Sequence, residues 1–390
     1  MNNVSVSPTP GQHWDIFCTV VDNYGDIGVT WRLAKQLANE YQQPVNLWVD
    51  DLRSFQFILP ELDITLIEQQ HHHVNIIKWD QPLSRPWQAG SVLIEAFACD
   101  LPAEIIDATA VIKPFPLWIN LEYLSAENWI DDCHGLNSPV KNGVKKRFFF
   151  PGFSEKSGGL LCESNLFEHR DAWQANNQRV QLLQRLGVDN VGVNDRLISL
   201  FSYESSAINA LCQQLITGQR LTHLLVPQGR ALTSVANALA TTTAALVKQQ
   251  HYQQGQLALH ILPMTNQEQY DQLLWSCDLN IVRGEDSFLR AQWAGKPFIW
   301  HIYPQDEDAH IDKLQAFMQR YCQQLPLDAA NTWQQLNLAF NQNDPLAFST
   351  HWQSLQHHEV TLNKHAKIWP KTAINHADLA KRLVQMVKNG

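Results

Sequence analysis

The chain has 390 residues, of which 45% are hydrophobic and 17% charged, and a formal net charge of −9. That length and composition specify a globular protein of two or three domains with enough apolar surface for large cores. The acidic balance argues against non-specific nucleic-acid binding, which takes a basic patch or stripe.

The seven cysteines, at positions 18, 99, 133, 162, 212, 277 and 322, form no CxxC pair, and several lie in apolar runs, the usage of reduced, buried thiols. No basic start followed by an apolar run marks a signal peptide, and no stretch approaches membrane-spanning length. The expected location is the cytoplasm, with neither a membrane nor a nucleic acid among the partners.

In chain order, residues 1–12 read as a loose polar tail. Residues 14–21 (WDIFCTVV) are a short apolar run that reads as a fully buried strand, followed by a loop over 22–28. Apolar spacing predicts a helix over 29–41, and VNLWV at 45–49 predicts a second buried strand ended by Asp50-Asp51. Strand, loop, helix and strand in that order make a βαβ unit. The rhythm continues more weakly through strands at 91–95 and 117–121, so 13–150 reads as one Rossmann-like domain.

Turn signals at Pro151-Gly152-Phe153 and Ser157-Gly158-Gly159, then a helical stretch over 173–186, make 151–195 a passage between lobes. Strands at 197–201, 222–227, 257–262, 279–282 and 297–302 then alternate with helices at 207–216, 232–248, 267–275, 287–294 and 308–322. Five consecutive βα units predict a second doubly wound sheet over 196–365. Residues 366–390, helical over 379–388, can pack back toward the first lobe. The fold class is α/β, with two Rossmann-like lobes expected to face each other across a central cleft. A dehydrogenase, a two-lobed binding protein and a GT-B glycosyltransferase all fit it, and the fold does not choose among them.

The first βα loop carries no G-x-G-x-x-G. It reads Asp22-Asn23-Tyr24-Gly25-Asp26-Ile27-Gly28, and two carboxylates there would repel a dinucleotide's pyrophosphate. Both carboxylates lie at the carboxyl end of the first strand, where open α/β sheets place ligands; the plain alternative is a helix cap. A second constellation, Arg283-Gly284-Glu285-Asp286-Ser287, ends a strand and opens a helix. Helix N-terminal N–H groups, the Ser287 hydroxyl and Arg283 suit an anion, whereas Glu285 and Asp286 suit sugar hydroxyls. The run His71-His72-His73 is read as a surface loop rather than a metal site, since consecutive histidines share no face. The fourteen tryptophans are read as core bulk, and Pro227-Gln228-Gly229-Arg230, which closes a strand, as a turn in preference to a phosphate contact.

The run WDIFCTVVDNYGDIGV at 14–29 is followed by LWVDDL at 47–52. The run LWSCDLN at 274–280 leads through Arg283-Gly284-Glu285-Asp286-Ser287-Phe288 to QWAGKP at 292–297. Together they resemble the bacterial protein-arginine rhamnosyltransferases of elongation factor P, over nearly the whole chain. The resemblance implies an inverting, metal-independent GT-B enzyme with no cofactor, with 13–150 as the acceptor-side domain and 196–365 as the nucleotide-sugar-binding domain. Its donor is dTDP-β-L-rhamnose, and its acceptor is an arginine of elongation factor P, which is thereby activated to rescue ribosomes stalled at polyproline. It implies Asp26 as general base, with Asp22 and Glu285 as further essential carboxylates. It implies substrate binding by Asn23, Tyr24, Gly25, Tyr203, Thr265, Asn266, Gln267, Arg283, Gly284, Asp286 and Ser287. Met264 stands where relatives tend to carry an aromatic, so base contacts there would fall to a thioether. A GT-B glycosyltransferase with another acceptor and a non-catalytic nucleotide-sugar-binding module are the alternatives.

Overall fold

The computed structural model describes residues 10–21, 24–80, 82–83, 85–140, 143–374 and 378–389. Asp22 and Asn23 therefore lie outside the described residues. The chain divides into two compact units, Met1–Ser164 with Ala373–Gly390, and Asn165–Thr372. The division falls inside the stretch read as a passage, and the C-terminal segment returns to the first unit.

Among the described residues the first unit carries an eight-stranded sheet. Its strands are β1 (Trp14–Cys18), β2 (Val45–Val49), β3 (Glu68–His71), β4 (Val74–Lys78), β5 (Val92–Ala96), β6 (Leu117–Leu121), β7 (Asn137–Pro139) and β8 (Lys145–Phe149), in the order β3-β4-β2-β1-β5-β6-β8-β7. The inner pairs are parallel, and β3 and β7 run antiparallel at the edges. Every position of β1 and β5 is buried, which is why they read as unbroken apolar runs.

The exceptions are Glu95, at 5% exposure, and Asp15, at 0%. The Asp15 carboxylate accepts from the Trp48 and Trp87 indoles, the Asn46 amide and the Gly90 N–H, so the buried charge is fully hydrogen-bonded. Around it Phe17 stacks on Trp48 at 5.2 Å and meets Trp79 edge-on at 5.5 Å.

The second unit carries a six-stranded sheet among its described residues, in the order β11-β12-β10-β9-β13-β14. Its strands are β9 (Arg196–Leu200), β10 (Thr222–Pro227), β11 (His251–Gln254), β12 (Leu257–Leu262), β13 (Leu279–Arg283) and β14 (Phe298–His301). An aromatic core lies beside β14, with Phe288 against Phe317 at 4.6 Å and Tyr321 stacked on Trp333 at 4.5 Å. The open edge of β14 is closed by side chains of the helix Leu327–Asn341. Asn337 and Asn341 accept from the Trp300 and Ile302 N–H groups, and Asn341 donates back to the Trp300 carbonyl. One turn apart on a helix, these amides take the place of a neighbouring strand.

Several elements differ from expectation. The helix read from residue 29 begins at Gly25, because buried Ile27 and Gly28 hold the first turn in place despite two glycines. The stretch 173–186 is two helices, Leu166–Ala175 and Arg179–Arg185, separated near Asn177 at φ 52°. The helix read over 232–248 is also two, Ala231–Ala238 and Thr243–Gln249. Ala240 turns left-handed at φ 51° between them, and the Thr242 hydroxyl caps the second. Residues 366–390 hold the end of the helix Glu359–Ala373 and a separate helix, Leu379–Asn389. The latter is tied to the first unit by Leu379 N–H to the Leu160 carbonyl at 2.9 Å and by Arg382 to the carbonyls of Glu155 and Ser157. His72 and His73, at φ 49° and 65°, form the turn of a β3–β4 hairpin.

Candidate active site

Strand order reverses between β1 and β5 in the first sheet and between β9 and β13 in the second. Loops leaving the carboxyl ends of strands diverge at such a switch point and open a crevice. Both runs singled out in the sequence leave strands at these points.

In the first unit Asp26 occupies the first turn of the helix Gly25–Glu40 and is 3% exposed. It is not the helix cap. Tyr24 holds that position without a side-chain hydrogen bond to the helix, and its ring packs edge-on against Phe57 at 5.8 Å. The Asp26 carboxylate turns back toward the sheet. Oδ2 accepts from the Val21 N–H at 2.9 Å, and Oδ1 accepts from the Tyr123 hydroxyl at 3.1 Å. Beneath it the Cys18 thiol is buried, and burial raises its pKa well above the ordinary thiol range.

The same edge of the sheet carries a cavity of about 390 Å³ lined by Thr19, Asp50, Trp79, Asp80 and Asp100. Asp50 is anchored there, accepting from the Val20 and Asp51 N–H groups. An aromatic wall with three carboxylates suits a cation.

In the second unit Arg283 ends β13 and is 6% exposed. Its guanidinium carbon lies 4.7 Å from the ring centroids of both Phe201 and Tyr203. Its Nη1 is buried without a hydrogen-bond partner among the described residues. Gly284 follows at φ 63°, a conformation glycine adopts without strain, and its carbonyl accepts from the Trp300 indole at 3.1 Å. Glu285 sits at the N-cap of the helix Asp286–Trp293, with Asp286 and Ser287 buried in its first turn. A free guanidinium nitrogen beside a helix N-terminus is a prepared anion site.

Asn266 caps the helix Gln267–Ser276 by accepting from the Gln269 N–H, and Gln267 is buried at its start, with Thr265 just before the cap. Tyr203, 2% exposed, also lies under the Arg230 guanidinium at 5.2 Å.

The second-unit residues read from the sequence thus gather at strand ends of one sheet, and Tyr24, Gly25 and Asp26 at a strand end of the other. Sequence reasoning missed Tyr123, Phe201, Arg230 and His301. His301 is the register partner of Arg283 on β14, and its ring meets Tyr203 edge-on at 5.2 Å. Burial first, then Arg283 and Arg230, hold its pKa down to about 3, so the imidazole is neutral. Of these four, only Arg230 had a sequence cue, its place in the turn after β10.

The two doubly wound units match the fold of the GT-B glycosyltransferases. A family profile described as "Elongation-Factor P (EF-P) rhamnosyltransferase EarP" matches residues 14–388, and the chain belongs to that family. It is 55% identical over 385 residues to a protein-arginine rhamnosyltransferase of Shewanella oneidensis, covering 96% of this chain and 98% of the relative. It is 48% identical over 373 residues to one of Pseudomonas aeruginosa, covering 95% and 98%. A solved structure described as the structural basis for EarP-mediated arginine glycosylation of translation elongation factor EF-P is 34% identical, with a TM-score of 0.69, over 97% of this chain and 99% of that one.

Proposed function

We propose that this chain transfers L-rhamnose from dTDP-β-L-rhamnose to an arginine side chain of elongation factor P. The transfer inverts the anomeric carbon, needs neither metal nor cofactor, takes place in the cytoplasm, and activates the factor for ribosomes stalled at polyproline. The observation that carries this reading is Arg283, a buried cation stacked between two rings with one nitrogen unpartnered, beside a helix N-terminus. A nucleoside diphosphate would complete it. Family membership supports the sugar and the acceptor. The acidic, Trp79-lined cavity on the Asp26 side suits a basic acceptor.

The chemical difficulty is the proton. A guanidinium has a pKa of about 12.5–13.8 against about 3.9 for an aspartate, so complete prior transfer would cost about 12 kcal/mol. Deprotonation therefore accompanies bond formation. A guanidino nitrogen attacks C1 of the rhamnose from the face opposite the diphosphate. The C1–O bond breaks with its electron pair passing to the β-phosphate oxygen, and the N–H proton passes to Asp26. The Val21 N–H and the Tyr123 hydroxyl donate to different Asp26 oxygens, which fixes the carboxylate plane against which the guanidinium would be deprotonated.

Asp22 would orient the guanidinium fork through charge-assisted hydrogen bonds, with Asn23, Tyr24 and Gly25 completing the loop. Arg283, Ser287 and the helix N-terminus, with Gly284 admitting close approach, would stabilise charge growing on the β-phosphate. Glu285 and Asp286 would accept from rhamnose hydroxyls, and Tyr203, Thr265, Asn266 and Gln267 would hold the nucleotide. Asp26→Asn is expected to cut turnover by about 10²–10⁴-fold with donor affinity, read by calorimetry, unchanged. Near-normal turnover would exclude Asp26 as the base.

A further inference from the structure

Tyr123 is 41% exposed, yet its hydroxyl is spent on a carboxylate that is 3% exposed, 97 residues away in the chain. A phenol at such a surface position is satisfied by water, so fold stability does not require this bond. The ring is also held. Phe97 stacks on it with centroids 4.5 Å apart and planes 17° apart. Phe97 and its neighbour Ala98 both sit in the left-handed region, at φ 56° and 51°, where residues with a Cβ are strained. The Phe97 N–H donates to the Leu121 carbonyl at 2.7 Å, tying the loop after β5 to the end of β6, two residues before Tyr123. Two adjacent strained residues thus present a ring face to Tyr123, and Tyr123 presents its hydroxyl to Asp26.

We infer that Tyr123, braced by Phe97, is a positioning residue that fixes the orientation of the Asp26 carboxylate and favours its ionised form. This rests on the reading of Asp26 as the base. With the Val21 N–H on Oδ2 and the Tyr123 O–H on Oδ1, the carboxylate cannot swing about its χ2 axis without breaking one bond. A hydrogen bond donated to the charged form holds the base unprotonated at lower pH. Asp26 also faces the Cys18 thiol, which burial keeps neutral.

The test compares Tyr123→Phe, which keeps the stacked ring and removes the hydroxyl, with Phe97→Leu, which keeps the hydroxyl and removes the stack, and with Asp26→Asn. For Tyr123→Phe, kcat is expected to fall about 10- to 100-fold, the scale of one hydrogen bond to a charged group. KM for donor and acceptor stays close to the parent value, and the acid limb of the pH–rate profile moves to higher pH. Phe97→Leu moves the same limb in the same direction by less. A merely structural role would lower the melting temperature and leave the pH profile in place, which overturns the inference. Parent-like kcat and pH profile in Tyr123→Phe, with Asp26→Asn inactive, overturns the inference and leaves the base assignment standing. An active Asp26→Asn removes both.

Discussion

The guanidinium of Arg283 lies between the ring faces of Phe201 and Tyr203, and its buried Nη1 waits for an acceptor. A lysine there would keep the charge and lose both the planar stacking and the fork. Arg283→Lys is therefore expected to weaken binding of dTDP-rhamnose about 10- to 100-fold, equivalent to about 1.4–2.7 kcal/mol, by titration calorimetry. Unchanged affinity would show that the diphosphate does not meet this side chain. Arg283 was legible in the sequence because it belongs to a run at the end of an apolar strand. Its neighbours were not. Phe201 looks like the last residue of a buried strand, and His301 like an interior position of one. Tyr123 reaches Asp26 across 97 residues, a contact that no local periodicity encodes.

The helices Gln267–Ser276 and Asp286–Trp293 carry at their N-termini the two second-unit segments read as donor-binding. A buried, two-bond ion pair clamps them together: Arg290 Nε and Nη2 reach the Asp271 oxygens at 2.9 and 2.6 Å, with side chains 2% and 7% exposed. Removing one charge of such a pair costs about 3–5 kcal/mol, because the other charge stays buried. Asp271→Asn is expected to lower the second unit's resistance to urea by that amount and to weaken donor binding. Replacing both residues by leucine should lose less stability. Equal losses would mean that the charge itself is not what holds the helices.

The strands of both sheets were largely legible where parallel pairing buries both faces and leaves a continuous apolar run, as in VNLWV and LALHIL. The antiparallel edge strands were not, and the interior strands β4 and β8 were missed as well. β3 reads EQQH and β11 reads HYQQ, polar segments whose only cue is a neighbour they pair with. Helix breaks at Asn177 and Ala240 were hidden for a similar reason, since neither residue is a glycine or proline.

Two histidines of the second unit make its stability depend on pH. Burial, aided by the Arg283 and Arg230 charges, holds His301 to about 3. Burial, aided by His223 and His251, holds His260 to about 4. Below an ordinary value of about 6.5 the unfolded chain binds a proton at each site that the folded chain refuses. The stability present above about pH 6.5 is therefore lost as pH falls toward these depressed values, by about 2 kcal/mol for each histidine at pH 5. Melting temperature should fall between pH 7 and 5, and His260→Gln should flatten that fall. A flat profile in the parent would mean that both sites open to solvent or find an anion.

The proposed reaction divides its labour between the two units. The first presents a fixed carboxylate and an acidic cavity, the features a cationic acceptor requires. The second presents a stacked arginine at a helix N-terminus, which suits a diphosphate. The two motifs at the ends of two strands were legible in the sequence, and the side chains around them became visible only once distant segments were brought together. The most direct measurement is the intact mass of elongation factor P after incubation with this protein and dTDP-β-L-rhamnose. The account predicts a gain of one deoxyhexose that disappears when the acceptor arginine is replaced by lysine. An unchanged mass, or a gain that survives that replacement, would contradict it.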